Sequence, residues 1–171
     1  MNNPATKSLR KYGPVLIVDD EKEIGEILGE MFEPNFEKVI LCTNAQEAIG
    51  ATKATQFSMI VCDINMPGLS GEQMVRQLRA SGDLTPVIFV TGAATTSCFR
   101  RALNLGVSDV FEKPFDADHI LSSVDRILEI EKRRQKLYMD IGQNILTPEE
   151  IKKEKKILGL LLVVNESKHA A

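Results

Sequence analysis

Short apolar runs and amphipathic stretches alternate along the chain. "PVLIVDD" is a continuous apolar run ending in two acids, the pattern of a strand buried on both faces, Val15 to Asp19. "EKEIGEILGEMFE" then sets Ile24, Ile27, Leu28, Met31 and Phe32 at helical spacing on one predicted apolar face, and Pro34 ends the helix. "KVILCT" predicts a second strand. "NAQEAIGATKATQ" predicts a helix with Asn44 as N-cap, Glu47 at the matching capping position, and Ala45, Ala48 and Ile49 inward. "FSMIVCD" is a third strand. The helix in "GEQMVRQLRASG" turns Met74, Val75 and Leu78 inward and closes at Gly82. "TPVIFVTG", "TTSCFRRALNLG" and "SDVFEKP" supply a strand, a helix ending at Gly106, and a short fifth strand. "DADHILSSVDRILEI" is a helix burying Ile120, Leu121, Val124, Ile127 and Leu128.

Five alternations of strand and helix specify an α/β fold. The expectation is a doubly wound five-stranded parallel sheet with helices on both faces, flavodoxin-like, followed by a helical C-terminal extension. The expected divisions are a flexible arm over 1–12, the α/β domain over 13–132, and the extension over 133–171, too short for a complete output domain.

Composition narrows the function classes. Trp is absent and aromatics make up 5%, against a stacking platform for single strands of nucleic acid. Residues 131–171 hold nine Lys or Arg against six Asp or Glu, leaving twelve basic and eighteen acidic residues before them. Nucleic acid is therefore not an expected partner of the acidic first part. Cys42, Cys62 and Cys98 form no CxxC pair and read as small buried hydrophobes in a reducing cytoplasm. His119 and His169 are isolated and read as surface residues. "MNNPATKSLRKYG" lacks the apolar core of a signal peptide, and the run Ile157 to Val164 is far below the roughly 20 residues of a membrane span.

The chemistry gathers where strands end. In a doubly wound sheet the ligand lies beyond the carboxyl ends of the strands. "VCDINMPG" carries Asp63 to the end of the third strand and turns there, because a stranded charge within the core would be costly. The first strand ends at Asp19 and Asp20, the fourth at Thr91 before Gly92, and the fifth leads to Lys113 and Pro114. Singly these residues read as a helix cap, a strand former and a solvated lysine. Together they place three carboxylates, a hydroxyl and an ammonium at one edge. Crowded carboxylates repel and call for a counter-cation, and oxygen donors suit a hard ion such as Mg²⁺. One carboxylate can then attack a phosphoryl group while the metal, ammonium and hydroxyl stabilise its oxygens.

With "VLIVDD", "VCDINMPG", "PVIFVTG" and "FEKPF" in order and register, the chain resembles the receiver domain of the two-component response-regulator family over about residues 13 to 132. The resemblance implies that Asp63 is the phosphoacceptor, and that Mg²⁺ is held by Asp20 and Asp63 directly, by Asp19 mostly through water, and by the backbone carbonyl of Asn65. It implies that Thr91 is the switch hydroxyl and that Lys113 pairs with a phosphoryl oxygen. It further implies a cis bond before Pro114 and, at Gly92, room for the donor to pass. The implied partners are a sensor histidine kinase or phosphotransfer protein and a downstream protein effector, and the protein is a signalling phosphoprotein rather than an enzyme acting on other substrates.

One position departs from the family. Its members usually carry Tyr or Phe three residues before the lysine, where this chain has Val110. Phe111 is one residue later and points to the opposite face of the sheet, which puts the usual coupling of hydroxyl and aromatic in doubt. A haloacid-dehalogenase-like phosphatase also uses a strand-end Asp, then Thr, then Lys, with Mg²⁺. Against it, Asp19 and Asp20 precede the nucleophile, and Asn65 replaces its acid. A degenerate receiver acting only as an interaction module is the third reading.

"EIEKRRQKLYMDIGQNIL" extends the fifth helix, though Arg133 and Arg134 break any coiled-coil stripe. "TPEEIKKEKKILGLLLVV" opens with Thr147 as N-cap, Pro148 at the first helical position and two acids in the first turn. Its apolar end must pack back on the receiver or meet a partner, a homodimer through the C-terminal helix being the simplest.

Overall fold

The computed structural model describes residues 11–159. The elements run in strict alternation: β1 (Val15–Val18), α1 (Lys22–Phe32), β2 (Val39–Cys42), α2 (Ala45–Ala54), β3 (Met59–Asp63), α3 (Gly71–Ala80), β4 (Val87–Thr91), α4 (Thr96–Asn104), β5 (Asp109–Glu112), α5 (Ala117–Gly142) and α6 (Pro148–Ile157). The five strands form one parallel sheet in the order β2-β1-β3-β4-β5, as the alternation requires. The sheet reverses direction of winding at β1 and β3, and the first and third strands are neighbours in register, with Val18 opposite Cys62.

Alternation along each central strand feeds two cores. Leu16, Val18, Ile60, Cys62 and Phe89 face α2, α3 and α4, meeting Ala48, Met74, Val75, Leu78 and Ala102. Val15, Ile17, Met59, Val61 and Ile88 face α1 and α5, meeting Leu28, Phe32, Ile120, Val124 and Leu128. Strands buried on both faces explain why β1, β3 and β4 read as unbroken apolar runs.

The caps expected at Asn44 and Thr147 are present, and α3 has a further one at Ser70. Asn44 accepts the Glu47 amide at the start of α2, and Ser70 and Thr147 form full capping boxes with Gln73 and Glu150. Gly82 and Gly106 close α3 and α4 with φ of +84° and +65°, conformations in which a Cβ is strained. All three cysteines are free and buried, and exposed His119 sets its ring edge-on against Phe111.

Two expectations need correction. Ile27 does not belong to the buried face of α1: it is 53% exposed, while Gly25, Leu28 and Phe32 are buried and Ile24 and Met31 pack beside them. Tyr12 is not part of an arm. It is buried, forms a bridge with Phe36, and donates its hydroxyl to Asp125 at 2.6 Å. The described residues fall into two compact units, the first running to Leu128.

The second unit begins at Glu129. In it the later turns of α5 bury Leu137, and Arg133 makes a two-pronged ion pair with Glu154 of α6 at 2.9–3.1 Å. Tyr138, Met139, Ile145 and Ile157 are exposed there. Most of the apolar run after Ile157, and His169, lie outside the described residues. No described helix is long and apolar enough to cross a membrane.

Candidate functional site

The sheet brings every strand-end residue singled out above to one edge. Asp19 and Asp20 follow β1, Asp63 is the last residue of β3, and Thr91 the last of β4. The backbone amide of Lys113 donates to the Thr91 carbonyl at 2.8 Å, so the lysine is fixed beside β4 just past the end of β5. The next bond, Lys113–Pro114, is cis.

Carboxylate oxygens of Asp19, Asp20 and Asp63 lie within 4.8 Å of one another. Asp19 and Asp63 are buried and Asp20 is exposed. Three ionised groups at that separation repel by about 3 kcal/mol per pair at an effective dielectric near 20. Lys113 offsets part of this. Its Nζ is 2.8 Å from Asp19 Oδ2, 3.2 Å from Glu21 Oε1 and 3.8 Å from Asp63 Oδ1. The last distance is an ion pair but not a hydrogen bond. Asp63 Oδ1 is buried without any hydrogen-bond partner.

The electrostatics follow from this geometry. Burial pushes the Asp63 carboxyl above its ordinary value, and Asp19 and Asp20 add to the rise, while Lys113 and the Ile64 amide oppose it. Burial pulls the Lys113 ammonium down, but the Asp19 bond and the charges of Asp63 and Asp19 outweigh burial and leave it raised. The two shifts differ in origin: burial lifts Asp63, and the neighbouring carboxylates lift Lys113.

A hard divalent cation fits this donor set. Three clustered carboxylates and an unpartnered buried carboxylate oxygen are what such an ion would satisfy.

Thr91 is fully buried, and its Oγ1 accepts from the Asn65 side-chain amide at 3.2 Å and the Ala93 backbone amide at 3.3 Å. Both lone pairs are thereby used, and the hydroxyl proton is left free to donate. A Cβ on Gly92 would meet nothing within 4 Å, so the approach past it is open. Val110 packs on the α2–α3–α4 side of the sheet and Phe111 on the α1–α5 side, as strand alternation predicts.

Three contributors escaped the sequence reading. Glu21 reaches Lys113. The side chain of Asn65, not only its carbonyl, engages Thr91. Gly71 starts α3 so close to the end of β3 that a Cβ there would stand 2.1 Å from the Asp63 carbonyl oxygen. The glycine of "SGEQ" was the only trace of that approach in the chain.

One edge of the sheet thus gathers acids just past β1 and at the end of β3, a hydroxyl at the end of β4 and a lysine just past β5. Residues 15–125 match the response regulator receiver domain model, and the chain belongs to that family. Among curated relatives it is 31% identical over 112 residues to an uncharacterised transcriptional regulatory protein of Bacillus subtilis, covering 66% of this chain and 49% of that one. It is 32% identical over 114 residues to the transcriptional regulatory protein PcoR of Escherichia coli, covering 67% and 50%. The chain thus spans about half the length of these relatives. Among solved structures, a Francisella response regulator receiver domain aligns with a TM-score of 0.64 at 28% identity, over 68% of this chain and 96% of that one. The Vibrio cholerae chemotaxis protein CheY4 shares the fold, with a TM-score of 0.63 at 23% identity over 67% of this chain and 98% of that one. Family membership decides between the receiver and the haloacid-dehalogenase-like alternative in favour of the receiver.

Proposed function

We propose that Asp63 accepts a phosphoryl group from the phosphohistidine of a sensor kinase or phosphotransfer protein, and that the resulting charge reports to a protein partner. The observation that carries this reading is a buried carboxylate oxygen, Asp63 Oδ1, that accepts no hydrogen bond although two further acids and a lysine stand beside it.

In this reading the ionised Asp63 oxygen attacks phosphorus, a P–O bond forms, and the P–N bond to the donor imidazole breaks. The electron pair of that bond leaves on the imidazole nitrogen. Lys113 shifts toward Asp63 and donates to one phosphoryl oxygen. Thr91 donates its free hydroxyl proton to another, a proton that its bond from the Asn65 amide does not use. Asp20, Asp63 and the Asn65 backbone carbonyl would hold Mg²⁺, with Asp19 acting through water. Bound Mg²⁺ would neutralise charge on the transferring group. Phosphorylation adds about −1.5 to −2 charge units by analogy with other phosphorylated side chains, and biases a pre-existing equilibrium around β4 and β5.

The output is protein contact in the cytoplasm, and the exposed apolar side chains of the second unit offer a surface for a second copy of the chain. The test is intact-mass spectrometry after incubation with phosphoramidate, with and without Mg²⁺. One Mg²⁺-dependent phosphoryl group on the wild type, absent from Asp63→Asn, is expected. Label on both proteins would place the acceptor elsewhere.

A further inference from the structure

Lys113 is shared unequally. Its short contacts run to Asp19 at 2.8 Å and Glu21 at 3.2 Å, and the long one, 3.8 Å, to Asp63. To donate to Asp63 Oδ1 the ammonium must move about 1 Å, into the 2.7–2.9 Å range of a charge-assisted hydrogen bond. The two acids that hold it differ in kind. Asp19 is fixed: its side chain is almost wholly buried, and its Oδ1 accepts the Glu21 backbone amide at 3.0 Å. The Glu21 side chain is 62% exposed. Glu21 also stands at the N-cap of α1, yet its carboxylate makes no capping bond to the helix. The short side chains of Ser, Thr, Asp and Asn cap from that position, and the longer glutamate is free to reach elsewhere. This one reaches to Lys113 instead.

We infer that Glu21 is a positioning residue: in the unphosphorylated protein it holds the Lys113 ammonium on the Asp19 side, away from Asp63, and so slows phosphoryl transfer to Asp63. The inference rests on the reading of Asp63 as phosphoacceptor. Because the Glu21 carboxylate is exposed, its hold is the screened kind and weakens with salt. Release of Glu21 costs no buried contact, since water replaces the lysine. The pull on Lys113 therefore acts as a brake on the reaction rather than as a support of the fold.

The test uses the full chain, phosphoramidate as donor and saturating Mg²⁺, with phosphorylation followed by intact mass. Glu21→Gln keeps the shape and removes the charge. Glu23→Gln, an acid in the first turn of α1, controls for the general effect of one fewer negative charge. The expected result is a maximal rate about two- to fivefold higher for Glu21→Gln at low ionic strength, the range of an exposed ion pair. The gain should fade at about 0.5 M KCl, where the Debye length is only a few ångströms. The half-saturating donor concentration and the melting temperature should stay as in wild type, and Glu23→Gln should follow wild type throughout. An unchanged or lower rate for Glu21→Gln, or an equal gain for Glu23→Gln, overturns this inference while leaving Asp63 as acceptor. An unlabelled wild type overturns the Asp63 reading, and this inference with it.

Discussion

Burial raises the pKa of Asp63, and the sign of that shift has a consequence for stability. Below the unfolded pKa both states carry the proton, and the buried group costs nothing as a charge. As pH rises through the window between the unfolded and the higher folded value, the unfolded chain releases its proton first and stability falls. Above the window the full cost of the buried charge remains. Asp63→Asn without divalent cation should therefore melt higher than wild type at pH 7, by about 2–4 °C for each kcal/mol recovered. The difference should shrink as pH falls through the window. Paired melts from pH 7 downward measure it, and a wild type that melts above the variant at pH 7 would show the carboxylate to be stabilising. Burial also raises the thiols of Cys42, Cys62 and Cys98, with Cys62 raised furthest. Fewer than one thiol per folded chain should react promptly with an aromatic disulfide reagent, and all three after denaturation.

At the scale of elements, the turn from β3 into α3 depends on one missing atom. Gly71 donates its amide to the Ile64 carbonyl at 3.0 Å, and a Cβ there would stand 2.1 Å from the Asp63 carbonyl oxygen and 2.8 Å from Cys62 Sγ. Neither neighbour can yield, since one is backbone and the other lies in the core. Gly71→Ala should cost about 1–3 kcal/mol, as overpacking does, and should slow labelling of Asp63 through displacement of the strand end. Denaturant melts measure the first effect and intact mass the second. The elements themselves were legible because strands buried on two faces and amphipathic helices carry different periods, and the chain keeps to both. The strand-end acids, Thr91 and Lys113 were legible because parallel topology sends every strand end to one edge. Periodicity says nothing of a close approach between backbones, so Gly71 went unseen. Nor does it show where a long flexible side chain turns, so the reach of Glu21 to Lys113 went unseen. Ile27 fits the helical stripe, but the stripe is wider than the part of α1 that the sheet covers.

At the scale of the molecule, the acidic cluster couples stability to the ion it would hold. A ligand that binds only the folded state stabilises it by an amount set by concentration over Kd. At about ten times Kd that is about 1.4 kcal/mol, and for a chain of this size about 3–6 °C in Tm. Mg²⁺ should therefore raise the melting transition of the α/β unit, with the shift growing as the logarithm of concentration once the site is filled. Asp20→Asn should keep the fold, because Asp20 is exposed and the core does not use it, yet it should need more Mg²⁺ for the same shift. Asp63→Asn should start higher and gain less, because the repulsion that the ion relieves has already been reduced. Calorimetry on the three proteins across a Mg²⁺ titration separates these expectations. A shift equal in all three would mean that the ion acts on general surface charge, and that the carboxylates at the ends of β1 and β3 do not form its site.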